Sequence, residues 1–202
     1  MPVAEVIASN TREIVAEVYR DAQVPAFGSW VEVDTEDGTI LYGLVSHAEI
    51  GSVEPGRQAA ALGADYDRDR IRREMPQILE LVRTTIRAQI LAFWDGRTRR
   101  EGGPLVRQTI PPRPAALHDR VRLAGPEVVA SLAAPFDVLR TLARTPDPAV
   151  PADDLLAAAL RNLAQAHGDE GEAILVEAGR ALARLLDDDH ERLQSILRRV
   201  QG

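Results

Sequence analysis

GSWVEVDTEDGTILYGLV, residues 28–45, decides the fold class. Trp30-Val31-Glu32-Val33 alternates in the manner of a strand, and Pro25, Gly28 and Ser29 break the chain ahead of it. Glu36-Asp37-Gly38 supplies turn residues, and Ile40-Leu41-Tyr42-Gly43-Leu44-Val45 is a second β run. The stretch therefore reads as a β-hairpin. Gly43 weakens a strand interior but suits a bulge or the sharp bend of a small barrel.

Working outward, residues 3–19 place apolar side chains at alternate positions, with Ile14, Ala16 and Val18 two apart, which predicts two strands turning at Asn10-Thr11. Beyond the hairpin, residues 51–63 are Gly, Pro and small residues. A charged run, Asp65 to Arg70, follows, and Pro76 ahead of Ile78, Leu79 and Val82 predicts a short helix opening there. The β pattern resumes at Thr84-Thr85-Ile86, with Ile86, Ala88, Ile90 and Ala92 on one face, up to Trp94. A helix over residues 78–93 is the alternative reading. Asp95-Gly96 and Gly102-Gly103 bracket a loop, and Leu105 to Ile110 reads as the returning strand. Pro111-Pro112-Arg113-Pro114 is a stiff connector leading out of the barrel, because each proline fixes φ and biases its predecessor away from helix.

After a short extended piece at Arg120-Val121-Arg122-Leu123 the pattern is helical, interrupted at residues 146–151. Leu155, Leu156, Ala159, Leu160 and Leu163 share one face. Ile174, Leu175, Ala178, Leu182, Leu185 and Leu186 form a second, and Leu193, Ile196, Leu197 and Val200 a third. Gly168 ends one helix, and Asp188 with Glu191 reads as a capping box for the last. Short amphipathic helices cannot bury such faces alone, so they pack on one another, on the barrel or on a partner. Leu193, Ile196, Leu197 and Val200 are the candidate partner contacts. The expected class is α+β: a β domain over residues 1–114 with a helical excursion near 70–83, then a helical segment over 115–202.

Composition narrows the chemistry. With 202 residues and 45% hydrophobic content the chain can bury a real core. Without cysteine, thiolate zinc sites, disulfides and cysteine nucleophiles are excluded. Lysine is also absent, so all 24 basic residues are arginine, and neither a P-loop lysine nor Schiff-base chemistry exists. A formal net charge of −7 disfavours a surface that is wholly a nucleic-acid sleeve. No basic leader followed by an apolar run opens the sequence, and no membrane-spanning run occurs, so a cytoplasmic protein is expected.

No motif declares an active site. Asp65, Asp67 and Asp69 alternate like the start of a calcium loop, but Arg70 stands where glycine is needed and Pro76 where glutamate is. His47, His118, His167 and His190 form no metal-binding pair, and no GxSxG or GxGxxG occurs. No catalytic residue, metal ligand or cofactor is expected. A hydrolase whose site assembles only in space stays open as a further alternative. Arginines concentrate at Arg97, Arg99, Arg100 and Arg107, which makes these the candidate phosphate contacts of a nucleic-acid-binding barrel, with Trp30, Phe93 or Trp94 available for stacking.

Four stretches together resemble the HAS-barrel: VAEVIASNTREIVAEVY, PAFGSWVEVDTEDGTILYGLVSHAE, VRTTIRAQILAFWDG and LVRQTIPPRPAALHDRVRLAGPEVV. The likeness covers roughly residues 3–125. It rests on a G-x-x-V-x-V entry strand (Gly28, Val31, Val33), a following G-x-V strand (Gly43, Val45) and the proline-rich exit at Pro111, Pro112 and Pro114. The family's barrel heads HerA-type DNA-translocating ATPases and the nucleotide-binding subunits of rotary ATP synthases, where it helps assemble the ring and docks partners such as the NurA nuclease. The resemblance implies a protein-interaction or assembly module, binding itself as a homo-oligomer or a HerA-like ATPase in DNA processing. Here the exit leads into helices without Walker motifs, which removes ATP hydrolysis from what is implied.

Overall fold

The computed structural model describes residues 1–52, 67–75, 81–100, 103–144 and 149–201. The small-residue stretch at 53–63, Asp65, the helix start at Pro76 with Ile78 and Leu79, Gly102, and Pro146 to Pro148 lie outside the described residues.

Six strands close an antiparallel barrel: β1 (Ala4–Ser9), β2 (Glu13–Val18), β3 (Trp30–Asp34), β4 (Ile40–Ser52), β5 (Val82–Trp94) and, later in the chain, β8 (Arg120–Leu123), in the order β1-β2-β5-β4-β3-β8. The 28–45 hairpin is present, with Trp30 opposite Leu44 and Asp34 opposite Ile40. The first hairpin turns where expected. The Asn10 side-chain oxygen accepts from the amides of Arg12 and Glu13 at 2.8 and 3.1 Å, an Asx turn.

Alternation fills the barrel. Val6, Ile14, Ala16, Val31, Val33, Leu41, Val45, Ile86, Ala88, Ile90 and Val121 point inward. Tyr42 and Leu44 point outward with Trp30. Opposite them the register jumps from Ile90 facing Gly43 to Ala92 facing Tyr42, leaving Leu91 unpaired on β5. That bulge turns both Leu91 and Ala92 to the outer face, whereas strict alternation placed Ala92 with Ile90.

Within the excursion the described residues hold α1 (Arg68–Glu74), and Val82 already belongs to β5. Asp67 caps α1, accepting from the Arg70 amide at 2.6 Å. Three other expectations are corrected. The 78–93 helix alternative fails over residues 82–93, since Thr85 to Gln89 pair with β2 and Val82 to Trp94 with β4. Leu105 to Ile110 is not the returning strand, as only Arg107 bridges to Phe93. A two-residue ladder, β6 (Arg99–Arg100) against β7 (Gly103–Pro104), occupies the loop before it. The proline connector therefore does not leave the barrel. It runs to β8, which pairs with both β1 and β3 and carries the barrel past residue 114 to Leu123.

The outer face made by Trp30, Tyr42, Leu44, Leu91 and Ala92 is covered by the helical half: α2 (Pro126–Ser131), α3 (Asp137–Ala143), α4 (Ala152–Ala166), α5 (Gly171–Leu185) and α6 (His190–Gln201). α4 is the central helix. Leu155, Leu156, Leu160 and Leu163 are fully buried, each contributing about 2 kcal/mol by area. Gly28 sets how closely α4 approaches the barrel. Its φ of +78° suits glycine, and a Cβ there would stand 2.4 Å from the Ala158 Cβ. The Asn162 amide nitrogen donates to the Gly28 carbonyl at 2.7 Å across the same contact. α6 is fastened to the start of α4 by Arg192 on Asp153 at 2.8 Å and by Arg199 near Asp154 at 3.5 Å. Its cap is Asp189, accepting from the Arg192 amide at 3.0 Å, one residue later than the box read from sequence.

Candidate functional site

One end of the barrel opens into a cleft of about 650 Å³, framed by the β3–β4 turn, the β5–β6 loop and the connector before β8. Each wall is built by a short carboxylate turn. Asp37 accepts from the Thr35 hydroxyl at 2.7 Å and the Thr39 amide at 3.0 Å, and these bonds hold its carboxyl down at about 2. Asp95 does the same for the next loop, accepting from the Thr98 hydroxyl at 2.5 Å and from the amides of Thr98 and Arg97 at 2.7 and 3.0 Å, and it too is held at about 2. The two loops meet at glycines. A Cβ on Gly96, whose φ is +74°, would stand 2.2 Å from the Gly38 carbonyl oxygen.

The third wall carries Asp119, only 6% exposed, accepting from the Ala116 amide at 2.7 Å. Burial pushes its carboxyl up, the Ala116 amide pulls it down, and the carboxylates of Glu36, Asp37 and Asp34 raise it again. Glu36, Asp37, Asp95 and Asp119 line the cleft against Arg97 and Arg113, so the barrel mouth is acidic. Nothing in the sequence marks this, because the four carboxylates come from three separated segments.

The candidate phosphate contacts distribute unevenly around this mouth. Arg97 is exposed at the rim of the acidic cleft. Arg99 lies over the Trp94 ring, 5.5 Å from its centroid, while the Trp94 indole N–H donates to the Thr98 carbonyl at 2.7 Å. Arg100 belongs to β6 beside it. Arg107 stands 3.6 Å from the Asp95 carboxylate. The loop sequence thus brings the four into one neighbourhood, but an acidic one.

The helical candidates lie elsewhere. Ile196 is fully buried in the core shared by the barrel and the helices, and Leu193 and Val200 pack against it, while Leu197 is 38% exposed.

A third surface is the far end of the β4–β5 ribbon. β2 follows β5 only as far as Thr85, and β3 follows β4 only to Leu44, with Gly28 and Ser29 bonding Val45. β4 and β5 nevertheless stay paired to Ser52 opposite Val82. His47 to Ile50 are exposed there, Ile50 at 72%. Among the described residues no other strand flanks this two-stranded extension.

Among the described residues there is no cluster of His, Asp and Glu able to hold a metal, and no helix long and apolar enough to cross a membrane. No known family model matches the chain, and no curated protein is significantly similar to it.

Proposed function

We propose that this protein is a non-catalytic interaction or assembly module of HAS-barrel type, docking a second protein chain along the β4–β5 ribbon. The observation that supports this reading is the ribbon itself. A closed barrel has no free edge, whereas a two-stranded extension flanked by no other described strand offers main-chain donors and acceptors to an incoming strand, with the exposed Ile50 as an apolar anchor. A second copy of the chain and a HerA-like ATPase with its nuclease, working in DNA processing, are the partners the sequence resemblance favours.

Affinity purification of the tagged chain in low and high salt, with light scattering of the purified protein, tests the proposal. A salt-resistant protein complex or homo-oligomer that Ile50→Lys disrupts is the expected result. The same substitution should leave unfolding stability within about 0.5 kcal/mol, since Ile50 is exposed. A complex indifferent to Ile50→Lys would refute the ribbon as the docking element. Recovery of DNA that washes off with salt, and is lost when Arg97, Arg99 and Arg100 are replaced together, would instead favour a nucleic-acid-binding barrel.

A further inference from the structure

Away from the mouth, a cleft of about 300 Å³ lies between the barrel wall and α3, and three arginines line it: Arg12, Arg140 and Arg144. They arrive independently. Arg12 comes from the β1–β2 turn, where the Asn10 side chain fixes the backbone and the Arg12 carbonyl accepts from the Ile90 amide at 2.7 Å. Arg140 sits on α3 and Arg144 one turn later at its C-terminal cap. α3 itself is clamped by Gln108, whose oxygen accepts from the Val138 amide at 3.2 Å and whose amide nitrogen donates to the Leu132 carbonyl at 2.9 Å. Both walls are therefore held before any ligand enters.

None of the three arginines forms an ion pair among the described residues, although the chain carries a net charge of −7. The carboxylate next to Arg12, Glu13, is engaged elsewhere, accepting from the Gln89 side chain at 2.9 Å and facing Arg87 at 3.8 Å, and Asp137, one turn before Arg140 on α3, forms no ion pair with it. A helix C-terminus favours Arg140 and Arg144 where they stand, but it gives no reason for Arg12 to converge on them. Gln89, Ile90, Leu91, Ile110 and Thr141 complete the lining, and Ile110 is its exposed apolar side chain. The arrangement is that of an oxyanion seat beside an apolar surface: several guanidinium forks for the charge, side-chain hydrocarbon for what carries it.

We propose that this cleft binds a small organic anion through its charged head, a phosphate monoester on an apolar or aromatic body. Three guanidiniums match a doubly charged phosphate better than a carboxylate, and Ile110, 41% exposed, contacts the body.

Titration calorimetry of the full chain with inorganic phosphate, phenyl phosphate and benzoate tests this directly. Phenyl phosphate should bind about five- to tenfold more tightly than inorganic phosphate, because part of the ring leaves water against the apolar lining. It should also bind more tightly than benzoate. Arg12→Gln, Arg140→Gln and Arg144→Gln should each weaken phenyl phosphate by about tenfold, the loss expected for one charge-assisted hydrogen bond. Arg20→Gln, just beyond the far end of β2, should change nothing. All four side chains are exposed, and circular dichroism should show each variant folded. Absence of phenyl phosphate binding at about 10 mM, which corresponds to less than roughly 3 kcal/mol, would overturn the proposal. So would binding that survives all three substitutions, or a preference for benzoate.

Discussion

Replacing Gly28 by alanine tests whether the helical half is seated on the barrel as described. Two penalties act at that position. An alanine at φ +78° costs about 1–2 kcal/mol in a left-handed backbone. Its methyl group would also stand 2.4 Å from the Ala158 Cβ, and overpacking of that kind costs about 1–3 kcal/mol as α4 is forced away. A loss of about 3 kcal/mol is expected. With an m-value of about 2 kcal/mol/M in urea, the unfolding midpoint should fall by about 1.5 M. The measurement is urea unfolding followed by circular dichroism and by tryptophan fluorescence, since Trp30 lies in the barrel–helix core. Ala158→Gly supplies the control. Alone it should cost about 1 kcal/mol of helix propensity. Combined with Gly28→Ala it removes the clash but not the backbone strain, so the double variant should be about 1–2 kcal/mol more stable than the sum of the single losses predicts. Additivity within about 0.5 kcal/mol would refute the contact, and with it the docking of α4 against the start of β3.

Gln108→Ala leaves the Val138 amide and the Leu132 carbonyl without their partner, and stability should fall by about 2 kcal/mol in the same urea assay. Glu32 is 6% exposed and accepts from the Arg122 guanidinium at 2.8 Å, so Glu32→Ala should cost about 2–3 kcal/mol, read from thermal melts, with Glu32→Gln costing less. Asp37 and Asp95, held at about 2, contribute stability that is fully present above their ordinary value of 3.8 and lost as pH falls toward 2. Asp119, raised by burial, has the opposite sign: its charged form costs stability at neutral pH, and protonation on acidification relieves that cost. Melting temperatures at pH 7 should therefore rise in Asp119→Asn, whose amide oxygen can still accept from Ala116. They should fall in Asp95→Asn, whose amide nitrogen cannot accept from the Thr98 hydroxyl.

The local elements most legible in the sequence were those whose pattern is self-contained. Residues 28–45 announced their hairpin because alternation and turn chemistry agree within eighteen residues, and Gly43 foretold the irregularity at Tyr42 and Gly43. Asn10 gave the first turn for the same reason. β8 was legible only as a short extended piece, since four residues carry no more than two alternations, and its place between β1 and β3 depends on chain segments far away. The 105–110 stretch has strand-like composition, yet only Arg107 pairs, because Phe93 is its one partner on β5. The arginine loop was found by composition, but the acidic character of its neighbourhood was not, since Glu36, Asp37 and Asp119 reach it from other loops.

What the sequence determined by itself was class and exclusion: a β half followed by an α half, no thiol chemistry and no lysine-dependent nucleotide chemistry. These follow from periodicity and from residue types that are simply missing. The tertiary structure decided which strand closes the barrel, that the outer face of β3, β4 and β5 is the seat of the helices, that Ile196 is core, and that Arg12 lines one cleft with Arg140 and Arg144. Periodicity records only that one face of an element is apolar. It carries no record of which distant apolar face will cover it, and that choice is made by shape and burial when the whole chain packs.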